Sequence, residues 1–193
     1  MLRAPSQQRK QPHFPLPRLS VVDNRGDLEA ELAAAQRTVV DLPATDAFDA
    51  LGFRIDRTPV GLDWLTYSGG RCWPDPGGDA SLVIACENEA RLLDLVGCRL
   101  SDRRVATWLG EGRLLGQPWL ERAIGRGERL IVHSDPLLWL HRQSVGIVLV
   151  DWEEGPRLLR GVGRVLCDAV ELADRLFHVT ALQRLTIDVV VRS

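Results

Sequence analysis

The sequence predicts an α/β fold: a mostly parallel central sheet with helices on both faces, preceded by a disordered N-terminal arm. Three observations carry that expectation. From Ser81 onward, short apolar runs alternate with helical patterns, as βα units do. Runs such as Gly146-Ile-Val-Leu-Val150 contain no polar side chain, which suits strands covered on both faces. Residues 1–18, by contrast, carry Pro5, Pro12, Pro15 and Pro17 with three glutamines, a composition unable to bury enough apolar surface to offset chain ordering.

The arm comes first in the chain. Residues 1–26 hold Arg3, Arg9, Lys10, Arg18 and Arg25 against Asp23 alone, although the whole chain carries −2. A basic arm therefore precedes an acidic body. Such charge suits DNA, RNA or another polyanion through non-specific phosphate contacts, or simply a solvated tail. Order is expected from Leu19, and residues 19–80 form an N-terminal segment packed into one folded domain with a core at 81–193. Asp27 to Arg37 reads as a helix, with Asp27 as cap, and Thr38 to Leu42 as a short strand. Residues 43–80, rich in Gly, Pro and Asp, read as a hairpin or ordered loop packed by Trp64, Tyr67 and Trp73.

Within the core, strands are expected at Leu82–Cys86, Arg104–Trp108, Leu130–His133, Gly146–Val150, Val165–Cys167 and Leu185–Val191. Helices fill the gaps at about 88–96, 117–125, 136–142, 156–161 and 169–183. No stretch reaches the ~18 uninterrupted apolar residues of a membrane span, and the N-terminus lacks the apolar core of a secretory signal. A cytoplasmic protein is expected. Cys72, Cys86, Cys98 and Cys167 form no Cys-x-x-Cys pair and read as buried thiols. Neither a P-loop, a Gly-x-Gly-x-x-Gly nor a Gly-x-Ser-x-Gly motif occurs. His133-Ser134-Asp135 cannot act as a triad, because neighbours at a strand end point in different directions.

Four apolar runs end in an acid, at Glu87, Asp135, Asp151 and Asp168. Ligands of open α/β sheets bind beyond the carboxyl ends of strands, so these acids are candidate ligands for Mg²⁺. Helix capping is the competing role. Asp168-Ala-Val-Glu171 has capping-box spacing, and Asp135 precedes Pro136 at a first helical position. Asp151, with Glu153 and Glu154, lies too early to cap a helix opened by Pro156, leaving either a solvated acidic loop or a cation site.

The stretches Leu82-Val-Ile-Ala-Cys-Glu-Asn-Glu-Ala90, Arg104-Val-Ala-Thr-Trp-Leu-Gly110 and Gly146-Ile-Val-Leu-Val-Asp-Trp-Glu-Glu-Gly155 together resemble the Toprim domain of primases and topoisomerases, over about residues 81–180. That resemblance implies Mg²⁺ or Mn²⁺ held by Glu87, Asp151 and Glu153, with the same three residues catalytic in phosphoryl transfer on nucleic acid. Cys86 could equally align with the family's glutamate, Glu153 stands where aspartate is usual, and an additional strand and helix separate the motifs. The alternative function is a non-catalytic interaction or regulatory protein on an α/β scaffold. Trp64 and Trp73 flank Ser68-Gly-Gly70; they are expected to pack on the sheet, base stacking being the competing role.

Overall fold

The computed structural model describes residues 25–41, 60–89, 91–180 and 185–190, with side chains of the first helix described from 28 to 37. The expected disorder of residues 1–18 lies outside them. Helix α1 (Arg25–Asp41) runs through Thr38-Val-Val-Asp41, where the β-branched pattern predicts a strand. Each such residue costs only a few tenths of a kcal/mol in a helix, ~0.5 relative to Ala, too little to end one.

The first half is a closed barrel, not a parallel sheet. Strands β1 (Val60–Ser68), β2 (Arg71–Pro74), β3 (Asp79–Asn88), β4 (Arg91–Arg99) and β5 (Val105–Thr107) close in the order β1-β2-β5-β4-β3. Every pairing is antiparallel except the parallel contact of Arg71 with Thr107 that closes the ring. Leu65, Cys72, Val83, Leu95 and Ala106 fill its interior, joined by Leu28 and Ala35 of α1. Gly69 and Gly70, at φ 56° and 76°, supply the left-handed backbone that a two-residue hairpin between β1 and β2 requires.

The α/β class with helices on both faces is therefore overturned, and with it the parallel architecture that the Toprim resemblance implies. The decisive difference is β4, which occupies the helix expected over 88–96. Arg91-Leu-Leu-Asp-Leu-Val carries apolar residues that fit either period. What selects the strand is the turn before it, where Glu89 takes φ 49°, together with pairing to β3 from Ser81–Arg99 to Asn88–Arg91. Gly97 adds a second reason: a Cβ there would lie 2.7 Å from Cys72 Sγ and Leu65 Cδ1.

Asp94, buried in β4, has no counterpart in the sequence-based expectations. Its carboxylate accepts backbone N–H groups of Leu95, Leu109, Glu111 and Gly112 at 2.8–2.9 Å. Four donors offset its desolvation and hold residues 109–112 as the bridge from barrel to second half.

In that second half, α2 (Gln117–Arg126), β7 (Leu130–Val132), α3 (Pro136–His141), β8 (Val148–Leu149), α4 (Gly155–Leu158), β9 (Arg164–Cys167), α5 (Val170–Val179) and β10 (Thr186–Val189) fall where the sequence places strands and helices, whereas β6 (Leu114–Leu115) has no counterpart there. The parallel sheet is small, in the order β10-β9-β7, with β6 and β8 paired separately and antiparallel. Leu120, Val132, Leu149, Val165, Leu172 and Leu176 share its core. Leu137, Trp139 and Leu140 of α3 pack with Val60, Leu62, Ile84 and Val96 of the barrel, joining the halves in one apolar cluster. Among the described residues, no helix is long and apolar enough to cross a membrane.

Candidate functional site

Parallel pairing of β7 with β9 matches Val132 to Cys167, so the next residues, His133 and Asp168, meet beyond the strand ends. His133 Nδ1 lies 3.0 Å from Asp168 Oδ2, and its Nε2 lies 2.9 Å from the Val145 carbonyl. A carbonyl only accepts, so Nε2 carries a hydrogen and donates. Nδ1 faces the Asp168 carboxyl, so the ring bridges the strand end of β9 and the loop at Val145. The Ser134 N–H donates to both Asp168 oxygens at 3.2 Å.

Residues 142–146 form the opposite wall. Gln143 and Ser144 adopt left-handed φ values of 56° and 58°, each costing on the order of 1 kcal/mol for a non-glycine residue. Three side-chain N–H groups hold this loop by consecutive carbonyls: Trp119 Nε1–H on Ser144 at 3.0 Å, His133 Nε2–H on Val145, and Trp139 Nε1–H on Gly146 at 3.0 Å. Gly146 must lack a Cβ, which would sit 2.5 Å from the Ile131 carbonyl oxygen.

Between this loop and the strand ends lies a cavity of about 550 Å³. Ile131, Leu138, Leu166 and Val190 give it apolar walls, Asp168 supplies a carboxylate and Arg142 a guanidinium. Arg142 makes no ion pair among the described residues. Cys167 also lines the cavity, with its thiol pushed up to about 12 by burial and, secondarily, by the negative charge of Asp168.

No family model, curated protein or solved structure matches this chain. The chemistry must come from the geometry alone.

The sequence-derived acids fall elsewhere. Glu87 is exposed near the end of β3 on the barrel, and Glu153 is exposed in the loop after β8. Asp151 ion-pairs with Arg113 and accepts from the N–H of Glu153 at 3.0 Å and of Glu154 at 3.2 Å. These three donors tie its carboxylate to its own loop and to Arg113. Among the described residues, no three His, Cys, Asp or Glu side chains form a group able to hold a metal ion, so Glu87, Asp151 and Glu153 are not brought together. The residues present do not fit a protein-held Mg²⁺ or Mn²⁺ at these positions.

The capping expectations divide. Asp135 caps α3, accepting from Leu138 N–H at 3.0 Å with Pro136 at the first helical position. Asp168 does not cap α5, whose N-cap is Ala169 without a side-chain bond. The acid read as a cap belongs to the cavity, and the acid read as a ligand folds its own loop. Strand-end position alone could have indicated His133, had β7 and β9 been known to be neighbours in this register. Arg142 carried no such signal. Trp64 and Trp73, expected to pack on the sheet, are 41% and 44% exposed.

Proposed function

We propose that this protein is a non-catalytic binding module whose cavity seats a nucleoside monophosphate, free or as the end of a DNA or RNA strand. The observation that carries this is the placement of Arg142 and the strand-end carboxylate of Asp168 on one apolar cavity at the carboxyl edge of a parallel sheet. Ligands of such sheets bind there, and a strand-end acid accepts sugar hydroxyls. A guanidinium fork suits a phosphate, and the walls of Ile131, Leu138, Leu166 and Val190 suit the face of a base.

Binding rather than reaction follows from how the cavity's titratable groups are occupied. Both ring nitrogens of His133 are engaged by the protein, so neither faces a ligand as a free base. Cys167, held as a thiol, is a poor nucleophile near neutral pH.

Thermal melting with AMP, adenosine and inorganic phosphate tests the proposal. AMP should raise Tm by several degrees, since saturation at 100 times Kd stabilises by about 2.7 kcal/mol. Arg142→Ala should remove most of the AMP shift and leave the weaker adenosine shift. No shift with AMP, or an undiminished one in Arg142→Ala, would overturn it.

A further inference from the structure

The cavity opens onto one face of the parallel sheet. Helices α2 and α5 cover the opposite face, where Leu120, Ala123, Leu172 and Leu176 share a cluster with Leu130, Val132 and Val165. Side chains alternate along a strand, so Ile131, Leu166 and Asp188 turn away from those helices, and the register sets the three in one row across β7, β9 and β10. None of them enters a buried cluster of the described residues. Ile131 and Leu166 are also walls of the cavity, so cavity and sheet face share one apolar floor.

Charge marks both ends of this face. Arg142 and Asp168 stand at the carboxyl edge. At the amino edge, the pairing of Leu130 with Val165 brings Arg129, the residue before β7, beside Arg164, the first residue of β9. Both are exposed, and Arg129 makes no ion pair among the described residues. Arg164 gives one bond to Asp188 at 3.1 Å, which leaves further donors of its fork for a ligand. Asp188 is a carboxylate on the path between the two ends, and this ion pair offsets its repulsion of a phosphate.

Cations at both ends and an apolar floor between them fit a nucleotide chain. From Asp168 back to Arg164 the strand covers about 13 Å at roughly 3.3 Å per residue, a length that about four stacked nucleotides span at about 3.4 Å apiece. A strand that seats its 5′-phosphorylated end in the cavity has used the 3′ oxygen of that sugar in the next linkage. The hydroxyl left for Asp168 is then the 2′-OH, which DNA lacks. Resting on the cavity reading given under the proposed function, we propose that the ligand is the 5′-monophosphate end of single-stranded RNA. The nucleotides that follow run down the open sheet face, and their phosphates meet Arg129 and Arg164.

Titration calorimetry of the full chain with AMP, 5′-phosphorylated tetraadenylate and its deoxy counterpart, at several salt concentrations, tests this. Tetraadenylate should bind about tenfold or more tighter than AMP, and the deoxy strand about fivefold weaker than the ribo strand. Arg129→Ala/Arg164→Ala should remove the advantage over AMP and leave AMP binding unchanged. It should also flatten the slope of log K against log salt by about 1.4, the value for two phosphate contacts on a single strand. Arg129→Gln/Arg164→Gln carries the same expectation should the alanine variant lose stability. AMP bound with no gain for tetraadenylate, or a gain that both double variants keep, would overturn the strand path while leaving the cavity reading in place. Equal affinity for the deoxy strand would overturn RNA as the ligand. Failure of AMP and tetraadenylate alike to bind would overturn the cavity reading itself, and this proposal with it.

Discussion

His133 and Asp168 meet because their strands are parallel and in register, one residue beyond Val132 and Cys167. Neither residue has a partner in its own sequence neighbourhood that would explain its position. Their contact locks strand ends β7 and β9 to each other and, through Val145, to the strained loop 142–146.

Removing the Asp168 carboxylate should therefore loosen both walls of the cavity. Asp168→Ala is expected to cost about 2–3 kcal/mol, because a buried donor loses its acceptor and the Ser134 N–H is orphaned. Asp168→Asn should cost less than half as much, since its carbonyl can still accept from Ser134 and its amide can donate to a neutral His133. Urea denaturation of both variants checks this. Equal losses would show that the hydrogen bonds an amide can keep to Ser134 and His133 are not what matters.

The loop depends on a position that only glycine fills. Gly146→Ala combines a φ of 91° with a Cβ 2.5 Å from the Ile131 carbonyl oxygen, and should lose about 2–4 kcal/mol. Gly125→Ala is the control. Inside α2, with no atom near its added Cβ, it should gain about 0.5–1 kcal/mol through helix propensity. Chemical denaturation measures both, and a neutral Gly146→Ala would show that the loop relaxes.

Asp151 acts within its own loop, so its substitution should affect folding whether or not a divalent metal is present. Asp151→Ala should lose about 1 kcal/mol, the usual value of a cap to backbone N–H groups. Glu87→Gln and Glu153→Gln, both exposed, should be silent. Melts with and without Mn²⁺ should coincide for every one of these proteins. A Mn²⁺-dependent rise in Tm that Asp151→Ala abolishes would favour the strand-end metal site instead.

The four cysteines make stability fall in alkali. Cys72, Cys86, Cys98 and Cys167 are each pushed from 9.0 up to about 12, chiefly by burial. Between those values the folded chain binds protons that the unfolded chain has released. Stability from this source is complete below about pH 9 and declines as pH rises toward 12. Denaturation midpoints measured from pH 8 to 11 should drop, and replacing Cys72 with Ala should flatten the slope. A midpoint independent of pH over that range would contradict the burial of these thiols.

From Val105 onward the elements other than β6 were legible, because short apolar runs there are separated by helices with clear start signals, Gln117-Pro118 and Asp135-Pro136 among them. The barrel was not. Its decisive turn is at Glu89, a residue with no turn preference, and the β4 run satisfies helical and strand periods alike. The site was half legible. Strand-end position singled out Asp168, but its spacing to Glu171 also fits a cap, and only the register of β7 on β9 brings His133 to it. Arg142 joins them through tertiary packing, which leaves no local trace.

The most direct measurement is an NMR titration of the full chain with AMP, following the His133 ring nitrogens, the backbone amides of Ser134, Val145 and Asp168, and the indole N–H of Trp64 and Trp73. Cavity binding predicts saturable shifts at His133, Ser134, Val145 and Asp168 with both indoles unmoved, and loss of those shifts in Arg142→Ala. Shifts confined to the Trp64–Trp73 face or to the Asp151 loop, or none at millimolar AMP, would contradict it.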